Sequence, residues 1–185
     1  MSLLDIYVLG SPVLRQETSP VAKVTDDLRR LIDDMFDTMY AAKGIGLAAP
    51  QVGRLERVAV LDVGDSPLVV VNPEVIRSEG SGKAEEGCLS IPEVFGEVER
   101  ATRVTVRALD REGREFEIDG ADLLARCLQH ELDHLHGRLF IDYLSMFKKR
   151  SAMATWEREK AKYPALRRAL ISPKDLAEQH NEEAL

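Results

Sequence analysis

The chain is poor in sulphur and in rings: two cysteines, one tryptophan and 5% aromatic residues in 185 positions. Two cysteines are too few for a disulphide-stapled scaffold, and with no secretory signal in view both are expected to be free thiols in a reducing compartment. No apolar run is long enough to span a bilayer. The apolar start, Met1 to Gly10, is interrupted by Asp5 and is preceded by no basic segment, so neither a leader nor a membrane partner is expected. Internal repeats and low-complexity tracts are absent, which excludes solenoids and fibres. A formal charge of −7 and a pI near 5.2 argue against a general nucleic-acid binder. Histidine is scarce as well, with four in all, yet His130, His134 and His136 crowd into one short stretch.

That stretch reads His130-Glu131-Leu132-Asp133-His134. Histidines four apart on a helix point the same way and can grip one metal ion. The intervening Glu131 is placed to take a proton from water that such an ion acidifies. A solvated helix face carrying two histidines is the plainer alternative. The apolar lead-in of Leu123, Leu124, Cys127 and Leu128 opposes it by predicting a buried helix, whose histidines need partners, and Gly137 supplies a helix stop.

Two histidines need a third ligand. Zinc proteases often continue the motif to a third histidine, but Phe140 occupies that position. His136 faces nearly the opposite side of the helix, and His180 lies in a polar tail. Cys88 and Cys127 are the candidates. Cys88 is favoured because Gly87 lets backbone and thiolate approach closely; Cys127, one turn before His130, reads as core packing, with the reverse assignment left open.

A run of small residues, Gly44-Ile45-Gly46-Leu47-Ala48-Ala49-Pro50-Gln51, lies between a helical and a strand pattern and suggests close backbone approach. It lacks the lysine of a phosphate loop and precedes a strand instead of opening a helix.

Together these segments resemble the peptide deformylases over essentially the whole chain. The family motif G-Φ-G-Φ-A-A-x-Q matches Gly44 to Gln51, E-G-C-L-S matches Glu86 to Ser90, and Q-H-E-x-D-H matches Gln129 to His134. The resemblance implies hydrolysis of the N-formyl group from the initiator methionine of nascent chains, releasing formate. It implies one divalent metal held by Cys88, His130 and His134, with water in the fourth position, and Glu131 as general base and then acid. It also implies an oxyanion held by the Gln51 side chain and the Leu89 N–H. Ferrous iron is the expected metal, with zinc or nickel in protein as isolated; ligand type alone permits several.

The resemblance further implies that N-formylmethionyl peptides add as a strand through Gly44, Ile45, Gly46, Glu86 and Gly87, beside a methionine pocket. Two positions depart from the common pattern. Arg126 stands where many relatives carry an aliphatic pocket residue; its stem is expected to line the pocket while its guanidinium snorkels to the rim, and an altered side-chain preference is the sharper alternative. Phe95 replaces a substrate-contacting arginine of some relatives. Arg100 matches a family arginine that pairs with Asp133 and would brace the metal helix. A zinc peptidase and an inactive binding protein are the competing function classes, disfavoured by Phe140 and by the complete motif set respectively.

The scaffold reads as α+β, mainly antiparallel β-sheets around a central metal-binding helix, with an N-terminal and a C-terminal helix. One catalytic domain is expected over residues 1–170, followed by a polar tail at 171–185. Thr25 should cap a helix from about Asp26 to Lys43 with Leu28, Leu31, Ile32, Met35 and Met39 on one stripe. Arg57 to Val63 and Pro67 to Val71 read as strands, and Val98 to Leu109 and Glu115 to Ile118 as a pair about a turn at Asp110–Gly113. Lys148 to Arg168 carries a net +6 in this acidic chain and could dock on the ribosome; Pro164 and Pro173 argue against one long helix there. Formylated initiation points to a bacterial cytoplasm.

Overall fold

The computed structural model describes residues 3–170; the expected tail, with Pro173 and His180, lies outside the described residues. In chain order the elements are β1 (Ile6–Tyr7), α1 (Asp26–Ala41), β2 (Gly46–Ala48), β3 (Val58–Asp62), β4 (Pro67–Glu79), β5 (Gly82–Cys88), β6 (Ile91–Arg100), β7 (Arg103–Leu109), β8 (Glu115–Ala121), α2 (Asp122–Leu135), α3 (Met146–Glu159) and β9 (Arg167–Arg168). The α+β class and the antiparallel sheets agree with the sequence reading. A five-stranded sheet runs β2-β3-β4-β7-β8, β5 and β6 form a separate two-stranded sheet, and β1 pairs with β9. Every strand pair is antiparallel.

Helix α1 starts as expected, with Thr25 Oγ1 accepting the Leu28 N–H at 3.2 Å and Asp26 and Asp27 in the first turn, where carboxylates suit the helix dipole. It ends at Ala41 and not at Lys43, because Lys43 takes a left-handed φ of 59° and the Gly44 N–H turns back to the Met39 carbonyl at 2.9 Å. The predicted stripe is buried against β2 and β3. Helix α2 packs on the five-stranded sheet through Ala125, Leu128 and Leu135, and Gly137 ends it with φ +67°. A Cβ at Gly137 would press on the Arg15 backbone at 2.7 Å.

The run read as one strand from Val98 to Leu109 is two. The chain turns at Ala101-Thr102 and passes from the two-stranded sheet into the five-stranded one. Strand β4 is longer than expected, because two register shifts against β7 let it bend and continue past Val71 to Glu79. The basic C-terminal segment is likewise broken: α3 stops at Glu159, short 3-10 turns follow at 160–162 and 164–166, and β9 closes onto β1. Its buried side, Ala152 and Trp156, joins a core with Val94, Val98 and Phe140. Among the described residues no helix is long and apolar enough to cross a membrane.

Candidate active site

Helix α2 carries His130 and His134 on one face, as the four-residue spacing requires, and their Nε2 atoms lie 3.2 Å apart. Cys88, at the end of β5, brings its Sγ to 3.2 Å from His134 Nε2. Four-coordinate bonds of about 2.0–2.1 Å to nitrogen and about 2.3 Å to sulphur place ligand atoms roughly 3.3–3.6 Å apart, so these three atoms are spaced like three of the four corners of a tetrahedral site. Burial holds His134 well below the ordinary imidazole range. Burial acts on His130 too, but bonds to Cys88 and Glu86 outweigh it and raise that ring well above the range, so a metal bound here would displace a proton from His130.

Cys127 does not join the group. Its thiol contacts the Ile45 carbonyl at 3.5 Å, and burial, with Glu131 nearby, pushes it well above the usual thiol range. Phe140, where a protease would carry its third histidine, is buried and lies with its ring 6.4 Å from that of His130. His136 faces away, as predicted, and pairs with Glu17 at 2.7 Å.

Glu131 lines the same cleft as Cys88 and His130, with Oε2 buried and unpartnered; His134 Nδ1 and Asp37 Oδ2 are the other such atoms among the described residues. Desolvation raises the Glu131 carboxyl to about 7, with Glu86 and Asp133 adding to the rise and His130 and Arg100 opposing it. A carboxyl poised there can both take and return a proton near neutrality. Gln51 sits on a 3-10 turn, Ala49–Val52. Its Oε1 is fixed by the Ala48 N–H at 2.8 Å, so its Nε2 must point inward, 3.6 Å from Cys88 Sγ and 3.2 Å from Ser90 Oγ.

Behind the ligands is a buried ionic cluster. Glu86 accepts from Arg100 Nε at 2.6 Å and Nη2 at 3.0 Å, from Arg126 Nη1 at 2.8 Å, and lies 3.0 Å from His130 Nδ1. Burial alone would raise this carboxyl, but the bonds from His130 and Arg100 hold it down to about 2. Arg100 also donates to Asp133 at 2.7 Å, the expected pair, and Tyr143 donates to the other Asp133 oxygen at 2.8 Å. Sequence reasoning missed Tyr143 and the placement of Ser90; no local pattern marks either, since each acts on a partner fixed by the fold.

Glu86 lines the cleft while its carboxylate is buried against arginine and histidine side chains. The cluster corrects one expectation. The Arg126 guanidinium does not snorkel to the rim: the side chain is 15% exposed, and its head turns inward to Glu86 and to the carbonyls of Val98 and Gly82.

In front of the ligands lies a cleft of about 310 Å³ lined by Gly44, Ile45, Gly46, Gln51, Glu86, Gly87, Cys88, Leu89, Arg126, His130 and Glu131. Two strand edges flank it: β2 is the outer strand of the five-stranded sheet, and β5 has β6 on one side only. Phe95, 59% exposed, stands at its rim. Only a glycine lets β2 pass this close to α2, since Gly46 abuts Glu131 and Cys127.

The sequence profile of the polypeptide deformylases matches residues 3–150. A peptide deformylase from Alkalilimnicola ehrlichii is 54% identical over 154 residues, 81% of this chain and 86% of that one. The crystal structure of a peptide deformylase from Legionella pneumophila superposes with a TM-score of 0.81 at 46% identity, covering 88% of this chain and all of the other. One from Synechococcus elongatus, in complex with actinonin, gives 0.80 at 43% identity over 82% of this chain and 86% of that one. The chain is therefore an enzyme of the polypeptide deformylase family.

Proposed function

We propose that this enzyme removes the N-formyl group from the initiator methionine of newly made polypeptides, releasing formate, with one divalent metal held by Cys88, His130 and His134. The observation that carries the reading is the convergence of those three ligand atoms, all within 4.8 Å of one another, beside the unpartnered Glu131 oxygen at the floor of a peptide-sized cleft. One thiolate and two imidazoles fit an ion that keeps a position open. Ferrous iron is the proposed physiological metal; zinc or nickel suits the same donors. When bound, the ion supplies Lewis acidity to a water and to the formyl oxygen.

The protein's own groups do the rest. Glu131 accepts the proton lost by the attacking water and returns it to the departing amine nitrogen, a task matched to a carboxyl near 7. Gln51 Nε2, already aimed inward, and the Leu89 N–H donate to the oxyanion as it forms. The peptide adds between the open edges of β2 and β5, main chain to main chain, through Ile45, Gly46 and Gly87, so that most sequences beyond methionine are accepted. Gly44 and the Arg126 stem line the side-chain cleft. Formylated initiation makes a bacterial cytoplasm the proposed location, with the basic 148–168 segment as a ribosome contact.

Formate release from formyl-Met-Ala-Ser by anaerobic, iron-loaded protein tests the reaction. Glu131→Ala is expected to lose about 10²–10⁴ in rate while keeping its metal. Cleavage of internal peptide bonds instead would favour a peptidase, and metal binding without either hydrolysis a binding protein.

A further inference from the structure

We infer that Arg126 is a positioning residue that registers the hairpin carrying Cys88 against the helix carrying His130 and His134; the inference rests on the metal-centre reading above. The two sets of ligands come from elements that share no backbone ladder. Among the described residues strand β5 pairs with β6 alone, while α2 lies on the five-stranded sheet. Side chains must therefore fix the distance between thiolate and imidazoles.

Arg126 leaves α2 one turn before His130. Its Nη1 donates to Glu86 Oε1 at 2.8 Å and to the Val98 carbonyl at 2.9 Å, and its Nη2 donates to the Gly82 carbonyl at 2.8 Å. One planar head thus holds both strands of the hairpin, which a point-charge lysine could not do. Glu86 passes the registration on, since its second oxygen is 3.0 Å from His130 Nδ1 and Cys88 follows two residues later.

Arg100 makes the reciprocal tie, from β6 to Glu86 and to Asp133 on α2. The two arginines start on opposite partners and meet on one carboxylate, forming a closed circuit between hairpin and helix. Their charges balance those of Glu86 and Asp133, so the circuit is neutral as a unit. An arginine serving only as a lid on the cleft would keep its head in water and make no such bonds.

The test is cobalt-substituted protein, in which thiolate-to-metal absorption reports Cys88 and the ligand-field bands report the whole site. Arg126→Leu is expected to release cobalt to a competing chelator about ten- to a hundredfold faster than wild type. Its thiolate absorption should weaken relative to the ligand-field bands, because Cys88 is the ligand that drifts. Arg126→Lys, which keeps one charged donor toward Glu86, should recover part of both. Should the leucine variant fail to fold, Arg126→Gln is expected to move both readouts in the same direction. Wild-type release and absorption in a folded Leu or Gln variant would overturn the brace alone. A wild-type protein that takes up no cobalt would overturn the metal-centre reading on which the brace depends.

Discussion

Gly46 and Glu131 stand so close that a Cβ at residue 46 would overlap Glu131 Oε1 and lie 2.9 Å from Cys127 Sγ. The backbone of β2 thereby sets where the carboxylate stands. Gly46→Ala must push Glu131 aside by about an ångström, and a displacement of that size costs roughly a hundredfold in rate. Steady-state formate release, with metal content measured on the same sample, checks this; a folded, metal-replete variant with wild-type kcat would refute it.

Arg100 is buried between two carboxylates that are themselves buried. Removing one partner of such a set strands the others, so Arg100→Ala should destabilise the fold by about 3–5 kcal/mol. Urea denaturation at neutral pH reads this directly, and a loss below about 1 kcal/mol would mean that water or Arg126 takes over the role.

Asp142 gives a pH signature away from the centre. Burial would raise its carboxyl, but Arg15 at 2.5 Å, the Leu139 N–H at 3.0 Å and Lys149 at 3.3 Å hold it below the ordinary carboxylate range. The native state then binds fewer protons than the unfolded one, so the stabilisation is present above the ordinary carboxylate pKa, about 4, and is lost as pH falls through the depressed native value. Asp142→Asn should be less stable than wild type at pH 7, with the gap closing in acid. Chemical denaturation of both proteins along a pH series is the measurement, and a gap independent of pH would show that the charge of Asp142 contributes nothing.

Chelation should lower the melting temperature as well as abolish formate release, because a metal bound only by the native state adds to its stability. Calorimetry of apo and reloaded protein checks this. Equal melting temperatures, with full uptake verified, would contradict a metal that ties two elements together.

In the basic segment, Lys148 and Lys149 pair with Glu97 and Asp142, and Lys160 and Lys162 with Glu157 and Glu159, while Arg150 and Arg158 are exposed. If this segment docks on ribosomal phosphate, Arg150→Glu with Arg158→Glu should weaken ribosome binding and flatten its salt dependence. Co-sedimentation over a salt series decides it; an unchanged slope would exclude these two contacts.

The helix-borne half of the site was legible because period fixes it: residues four apart on a helix share a face, and Gly137 marks where that helix must stop. Gly87 favours Cys88 over Cys127 from the local pattern, but the thiol meets the histidines only once β5 is laid against α2, a contact that no local pattern encodes. The Arg126 head was misread for a related reason. Its principal partner, Glu86, lies 40 positions away, and no nearby residue signals that an acceptor better than water is waiting. The break at Ala101-Thr102 is hard to read because neither glycine nor proline marks it, although the two flanking strands join different sheets.

The pairing of β1 with β9 sets an order in time. Ile6 and Tyr7 pair with Arg168 and Arg167, so β1 cannot pair until every other described element has been made. Closing so long a loop carries a large entropy cost, whereas α1, the five-stranded sheet and α2 need no residue beyond Leu135 to meet one another. The clasp between β1 and β9 is then expected to close after the elements that carry the candidate site have come together.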